Sequence, residues 1–305
     1  MVNFNSRLKD TRLHKFLLIG LFFSLVASCS GEKIDNGQVF RMPISNEPPT
    51  LDWSLATDSV SFDILTNIME GLTQYDSNME PVPAIAKRWE ISKNGKTITY
   101  YLRDDVFWTD GQPVTAHDFE YSWKRLLNPA TAAQYAYFLF DVENAQEFNS
   151  GKISDPSKVG VSAKTAHILE VRLKKPVVYF PSITTFMVTF PQRKDIVEKF
   201  GDHWTDPENI VTNGPFKLSA WEHEYKLILT ANENFYEGRP PLDTILAYVI
   251  REKTTALTLY ETGELEMVEL PPVAIPHFKN HDEYENLPQL RGYYYGINVL
   301  KPPFD

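Results

Sequence analysis

The sequence has 305 residues, about twice the length of an ordinary single domain, which favours a protein of two domains. Its 43% apolar and 13% aromatic residues can form a large core, which excludes a disordered chain. The formal charge of −10 argues against a general nucleic-acid-binding or anionic-membrane surface. The single cysteine excludes an internal disulfide framework and a multi-cysteine zinc site.

The amino-terminal segment has the pattern of a secretory signal. Residues 1–15 are basic, and residues 16–27 form an apolar run without a charged residue, in which Ser24 is the one polar side chain. The run is too short for a transmembrane helix, because crossing the hydrocarbon takes roughly 20 apolar residues. We therefore expect residues 1–28 to be a signal peptide.

Cys29 lies where cleavage of that signal would fall. Residues 25–29, LVASC, resemble the lipobox of bacterial lipoproteins, whose cysteine is diacylated and becomes the new amino terminus. The resemblance implies that Cys29 is lipidated and that the mature protein is tethered to a membrane outside the cytoplasm. A free or buried thiol, or cleavage after Ala27 without lipidation, are the alternatives.

The first half of the mature chain predicts two helices and a strand. Apolar residues recur at helical spacing over 62–72, with Gly71 as the stop. Residues 96–102 alternate as a strand, and a capping box at 115–118 begins the second helix. The strand has Ile98, Tyr100 and Leu102 on one face and Thr97, Thr99 and Tyr101 on the other. Phe119, Trp123 and Leu126 supply the apolar stripe of the second helix.

The second half predicts three strands and two short helices. The strands cover residues 167–173, 225–230 and 245–250. The helices cover residues 195–200 and 254–262, and each is followed by a glycine. Helices and strands are mixed without the eight regular βα units of a TIM barrel, so we expect an α/β or α+β fold with lobes.

Motifs for catalysis or metal binding do not stand out. Residues 95–97, Gly-Lys-Thr, match the end of a phosphate-binding loop but lack the glycine five residues earlier. The G-x-S-x-G, G-x-G-x-x-G and H-E-x-x-H patterns do not occur. His277 and His281 have helical spacing, yet prolines bracket them and favour a solvated turn. We therefore expect no enzyme activity, no metal and no other cofactor.

Two aromatic clusters, residues 135–138 and 293–295, are typical of core or strand positions rather than of a ligand cage. In an alternating strand, Tyr294 would face opposite to Tyr293 and Tyr295. One face of such a strand could pack while the other lines a cavity.

A series of short segments carries a family resemblance, and the most specific is WTDGQPVTAHDF at residues 108–119. The other segments are 51–52, 69–72, 84–89, 102–105, 121–123, 199–204, 209–216, Trp221, 293–295 and 301–304. Together, and in this order, they resemble the extracellular solute-binding proteins of family 5, the oligopeptide-binding proteins of peptide ABC importers.

The resemblance implies an α/β fold of the type II periplasmic-binding-protein class with several lobes. A discontinuous first domain would comprise residues 29–69 and 194–290, and an inserted second domain residues 70–193. Residues 291–305 would begin a third domain. Chains of the family are typically much longer, so most of the third lobe would be missing from these 305 residues, either by truncation or because they are a fragment.

The resemblance also implies a mechanism and partners. The lobes would close around an extended oligopeptide outside the cytoplasm and present it to the permease of an ABC importer. Main-chain hydrogen bonds would give affinity that does not depend on the peptide's side chains. The protein would be a monomer held at the membrane by its lipid anchor and would bind no nucleic acid.

Six residues are carried over from the family as ligand-binding candidates. Thr57, Asp58 and Ser59 would run beside the ligand backbone, Tyr135 would reach the cleft from the second domain, and Tyr294 would lie near the hinge. Glu269 would face the cleft. Ordinary loop or core packing is the alternative for each. The family's aspartate for the ligand's amino terminus belongs to the third domain, so we expect the 305 residues alone to bind peptide weakly.

Three alternative functions remain open from the sequence. The same fold could bind another solute, such as a cell-wall peptide, a pheromone, nickel or haem. The chain could instead be a lipid-anchored hydrolase, which would require a nucleophile or a carboxylate pair in catalytic geometry. It could also be a surface interaction protein with a vestigial cleft.

Overall fold

The structure is a computed structural model that describes residues 38–287 and 295–304. The predicted signal peptide, Cys29 and Tyr294 lie outside the described residues. The helices in this part of the chain are α1 (Ser59–Ile68), α2 (Ala116–Leu127), α3 (Ala145–Asn149), α4 (Phe180–Ile183), α5 (Lys194–Phe200), α6 (Lys253–Glu261) and α7 (Ile275–Phe278).

The strands form two four-stranded sheets and one hairpin. They are β1 (Val39–Ile44), β2 (Thr73–Tyr75), β3 (Pro81–Pro83), β4 (Ala86–Ile91), β5 (Thr97–Leu102), β6 (Val161–Thr165), β7 (Ile168–Arg172), β8 (Phe216–Glu222), β9 (Lys226–Ala231) and β10 (Thr244–Val249). The first sheet has the order β1-β10-β9-β8, the second has the order β4-β5-β7-β6, and β2 pairs with β3.

The first sheet combines distant parts of the chain. β1 pairs in parallel with β10, whereas β10, β9 and β8 pair antiparallel. β9 alternates between part-exposed and buried residues, with Leu227 and Leu229 fully buried. This alternation is what a sheet covered on one face requires, since successive side chains point to opposite faces.

The second sheet confirms the strand and helix patterns of the first half. On β5, Ile98, Tyr100 and Leu102 are buried, and the residues between them are part-exposed. The apolar stripe of α2, which packs against β6 and β7, is also buried: Phe119, Trp123 and Leu126. Burying each such side chain contributes about 2 kcal/mol, so this stripe is what holds α2 on the sheet.

The predicted capping box begins α2. The Asp118 carboxylate accepts hydrogen bonds from the backbone N–H of Thr115 at 2.8 Å and from its hydroxyl at 3.0 Å. The indole N–H of Trp108 points at the same oxygen from 3.5 Å. Burial raises the pKa of Asp118 although these hydrogen bonds oppose the shift. Residues 108–119, the most specific segment of the family resemblance, therefore form hydrogen bonds with one another at the start of α2.

Three further strands and two short helices of the prediction occur within one residue of the expected limits. Two other expectations were wrong. α1 ends at Ile68, before Gly71, because the chain becomes extended at Met69, with φ −135° and ψ 153°. Residues 134–139 form a 3-10 helix rather than a strand, and Tyr137 is 54% exposed rather than part of the core.

Two connections lie side by side between the sheets, the first of which starts at the last residue of α1. The first is Ile68–Gly71 and the second is Val211–Gly214. The backbone N–H of Gly214 donates to the carbonyl oxygen of Ile68 at 2.9 Å. The side-chain oxygen of Asn213 accepts from the backbone N–H of Glu70, also at 2.9 Å. The chain thus leaves the first sheet and returns to it through one hydrogen-bonded pair of segments.

In the described ranges, every helix is too short or too polar to cross a membrane.

Candidate functional site

Asp58 caps helix α1 and uses both of its carboxylate oxygens to do so. One oxygen accepts from the backbone N–H of Ser61 at 2.9 Å, and the other accepts from the hydroxyl of Ser61 at 2.7 Å. The backbone of Asp58 is extended, as expected for the residue that precedes a helix. In this arrangement both carboxylate oxygens of Asp58 are engaged by Ser61 at the start of the helix.

Asp58→Ala should lower the free energy of unfolding by about 1 kcal/mol, because two donors at the helix start lose their acceptor. Asp58→Asn should retain most of the stability, since an amide oxygen can cap the same N–H group. Urea unfolding of both variants measures the difference. The exposed Asp105→Ala is the control, and equal losses in Asp58→Ala and Asp105→Ala would contradict the capping role.

Tyr135 and Thr57 meet in the structure. The phenol of Tyr135 donates a hydrogen bond to the backbone carbonyl of Thr57 at 3.2 Å, across 78 residues of sequence. The contact joins the 3-10 helix of residues 134–139 to the start of α1. Two residues that the family resemblance assigns to different domains therefore touch.

An aromatic cluster surrounds this contact. The ring of Tyr135 lies between 5.6 and 6.2 Å, centre to centre, from four other rings. These rings belong to Phe62, Tyr137, Phe138 and Phe186. Phe138 stacks on Tyr137 at 4.7 Å, and Tyr137 turns the rest of its surface to solvent. The cluster offers an aromatic face that can stack against planar or apolar groups.

Of the three remaining candidates, Glu269 does not join this cluster. Glu269 is paired with Lys253 at the start of α6, at 2.6 Å between Oε1 and Nζ, and its side chain is 81% exposed. Tyr294 falls outside the described residues. Ser59 is exposed at the first position of α1, next to Asp58.

A buried ion pair that sequence reasoning missed lies between the two sheets. Asp52 is 5% exposed and accepts from both terminal nitrogens of Arg125 on α2, at 2.9 and 2.5 Å. The indole of Trp204 donates to the same carboxylate at 3.3 Å, and Gln192 and Ser54 complete the network. An open cavity of about 370 Å³ adjoins it. No sequence signal links Asp52 to Arg125, since 73 residues separate them.

His277 and His281 are neighbours at the end of α7 and in the turn that follows it. The ring centres of His277 and His281 are 5.7 Å from each other. Among residues 38–287 and 295–304, no three histidine, cysteine, aspartate or glutamate side chains are grouped closely enough to hold a metal ion.

Comparison with known proteins gives consistent matches. Residues 80–305 match the model of bacterial extracellular solute-binding proteins, family 5, middle region. The dipeptide-binding protein DppE of Bacillus subtilis is 33% identical over 301 residues, which cover 94% of this chain and 55% of DppE. The periplasmic oligopeptide-binding protein OppA of Salmonella typhimurium is 36% identical over 250 residues, covering 80% of this chain and 46% of OppA.

Solved structures give the same result. The peptide-bound OppA of Listeria monocytogenes is similar with a TM-score of 0.76 at 30% identity, and the match covers 82% of this chain and 49% of OppA. The chain therefore spans about half the length of the relatives it matches. It has their type II periplasmic-binding-protein fold over that half. The protein belongs to family 5 of the bacterial extracellular solute-binding proteins.

Proposed function

We propose that this chain is part of a peptide-binding protein that captures oligopeptides outside the cytoplasm and delivers them to an ABC importer. The observation that carries the proposal is the Tyr135–Thr57 hydrogen bond at the edge of an aromatic cluster in which Tyr137 is exposed. It brings together residues from both regions that the resemblance assigns to the cleft. The peptide-bound relative of Listeria monocytogenes supports the same ligand class.

In this proposal the backbone of Thr57 and Ser59 runs beside the peptide, and Tyr135 holds that segment through the Thr57 carbonyl. Asp58 contributes its backbone, because its carboxylate is engaged with Ser61. Tyr294 and Glu269 are proposed as further ligand contacts from the later part of the chain, with Glu269 outside the aromatic cluster. The protein acts as a monomer. It releases the bound ligand unchanged, without catalysis or a cofactor.

We propose the domain limits given by the family pattern. The first domain comprises residues 29–69 and 194–290, and the second comprises residues 70–193. Support comes from the paired connections Ile68–Gly71 and Val211–Gly214, which carry the chain between the first and second sheets. The second of these connections lies some twenty residues after residue 193.

We also propose that residues 1–28 are removed and that Cys29 carries the lipid anchor. Mass spectrometry of the mature protein from its native membrane should find a diacylated amino-terminal cysteine. Cys29→Ser should lose the acyl mass. A mature wild-type protein that begins at an unmodified Cys29, or at any other residue, would contradict the proposal.

Calorimetric titration with mixed peptides of a few residues tests the binding function. We expect the 305-residue chain to bind peptides weakly, because it spans about half of its peptide-binding relatives. A longer chain that includes the remaining half of the family's length should bind at least tenfold more tightly. Submicromolar binding by the 305 residues would contradict this expectation. Mass spectrometry of co-purified ligands that found a metal or haem in place of peptides would contradict peptide capture itself.

A further inference from the structure

Glu70 occupies an unusual position in the first connection. The side-chain amide of Asn213 bonds both backbone groups of Glu70. It accepts from the Glu70 N–H at 2.9 Å and donates to the Glu70 carbonyl at 3.4 Å. One side-chain oxygen, Oε2, is sealed from solvent and has no hydrogen-bond partner. Burying an oxygen without a partner costs much more free energy when the carboxyl group is charged than when it is protonated.

Three ionisable side chains face Glu70. Tyr236 comes from the segment Asn232–Gly238 that follows β9, and its hydroxyl is also sealed without a hydrogen bond of ordinary geometry. Arg103, which follows β5, places its guanidinium 4.8 Å from the centre of the Tyr236 ring and donates its Nε–H to the carbonyl of Ala84 at 3.0 Å. Glu237 is a second acid beside this group.

These surroundings favour the neutral form of Glu70. Burial is the largest cause and raises the pKa of Glu70 to about 7, with Glu237 adding to the rise. The Tyr236 phenol and the Arg103 guanidinium act in the opposite direction and favour the charge. Burial and the nearby acids raise the pKa of Tyr236 as well, so the phenol stays protonated.

The segment Asn232–Gly238 is fixed to the second connection at its other end. Asn232 donates its backbone N–H to the carbonyl of Pro215 at 2.8 Å and its side-chain amide to the carbonyl of Gly214 at 2.9 Å. Tyr236 therefore covers the place where the two connections meet. A movement of residues 232–238 away from the connections would therefore expose the connections to water.

We propose that Glu70, Tyr236 and Arg103 form a proton-dependent latch over the paired connections. With Glu70 neutral, segment 232–238 stays closed over the first connection. With Glu70 ionised, the buried charge is relieved by opening the segment to water. The family is extracellular, so a protein of this kind meets the pH of its surroundings directly.

The direction of the pH dependence follows from linkage. The closed state holds the Glu70 proton up to pH about 7, whereas the open, hydrated carboxyl group has an ordinary pKa of about 4.5. Opening therefore grows as the pH rises through this interval and levels off above it. Between pH 5 and pH 8 the equilibrium constant for opening should increase by at least about tenfold.

Hydrogen exchange of the 305-residue chain, corrected for the intrinsic pH dependence of exchange, measures the latch. Amides of residues 232–238 and 68–71 should lose about tenfold or more of their protection between pH 5 and pH 8. Strands β5 and β9 serve as internal references and should not change. Glu70→Gln should abolish the dependence, whereas Glu80→Gln, which neutralises an exposed acid, should leave it intact.

Tyr236→Phe gives a second test that does not require Glu70→Gln to fold. Because the phenol favours the charged form, its removal should move the midpoint of the transition to higher pH. The latch is refuted if wild-type protein and Glu70→Gln show the same pH dependence, if Tyr236→Phe leaves the midpoint in place, or if β5 and β9 lose protection in parallel with the segment.

Discussion

Asp52→Ala is expected to lower the free energy of unfolding by about 3–5 kcal/mol. The variant leaves the guanidinium of Arg125 largely buried without its carboxylate partner, and it removes the acceptor of the Trp204 indole at the same time. Breaking a buried pair is costly because the remaining charge is neither hydrated nor neutralised. Equilibrium unfolding in urea at pH 7 gives the size of the loss.

The matched control is Asp195→Ala. Asp195 is bonded to Arg193 at 2.7 Å, but its side chain is 64% exposed, and Arg193 keeps its second partner Asp110. The control should therefore lose less than about 1 kcal/mol. The double variant Asp52→Leu with Arg125→Met should recover part of the loss, because no buried charge is left unpaired. Equal losses for Asp52→Ala and Asp195→Ala would show that breaking the Asp52–Arg125 pair costs no more than breaking an exposed pair.

The ion pair explains how the two sheets are held in one arrangement. Arg125 lies on α2, which packs against the second sheet, whereas Asp52 precedes α1, which packs against β8 of the first sheet. The phenol of Tyr135 joins the same two regions through Thr57. Both contacts join the same two regions that the paired connections link. We therefore expect these two regions to move as one body while a ligand is bound.

Local patterns predicted much of the fold. The strand at 97–102 and the stripe of α2 follow from side-chain periodicity, and the start of α2 follows from Thr115 and Asp118. These features depend on residues within a few positions of each other. The end of α1 escaped prediction because Gly71, interpreted as a helix stop, is instead required by tertiary packing: the ring of Phe190 and the carbonyl of Thr184 lie where a side chain on Gly71 would be.

The candidate site was predicted only in part. Resemblance indicated Thr57 and Tyr135, and the structure brings them together, but the aromatic face of Tyr137 and the latch at Glu70 were not predicted. Glu70 reads in the sequence as one of 40 acids, and only its burial against Tyr236 distinguishes it. Partners separated by tens of residues leave no periodic signal in a single sequence.

Gly214→Ala should destabilise the protein by about 3 kcal/mol or more. A methyl group at this position would lie 2.5 Å from the carbonyl carbon of Ile68 and 2.6 Å from the backbone nitrogen of Met69. Both contacts are with backbone atoms, which cannot rotate away as a flexible side chain could. The clash would also stretch the hydrogen bond from Gly214 to the Ile68 carbonyl, so the paired connections must separate.

Gly296→Ala is the control for Gly214→Ala, because an added methyl group there meets no atom within 4 Å. Its stability should remain within about 0.5 kcal/mol of the wild type. Hydrogen exchange should show early loss of protection in residues 68–71 of Gly214→Ala, since the strain is applied at that segment. A Gly214→Ala protein with wild-type stability and wild-type protection would mean that the two connections are free to move apart, and that close contact between them does not hold the lobes together.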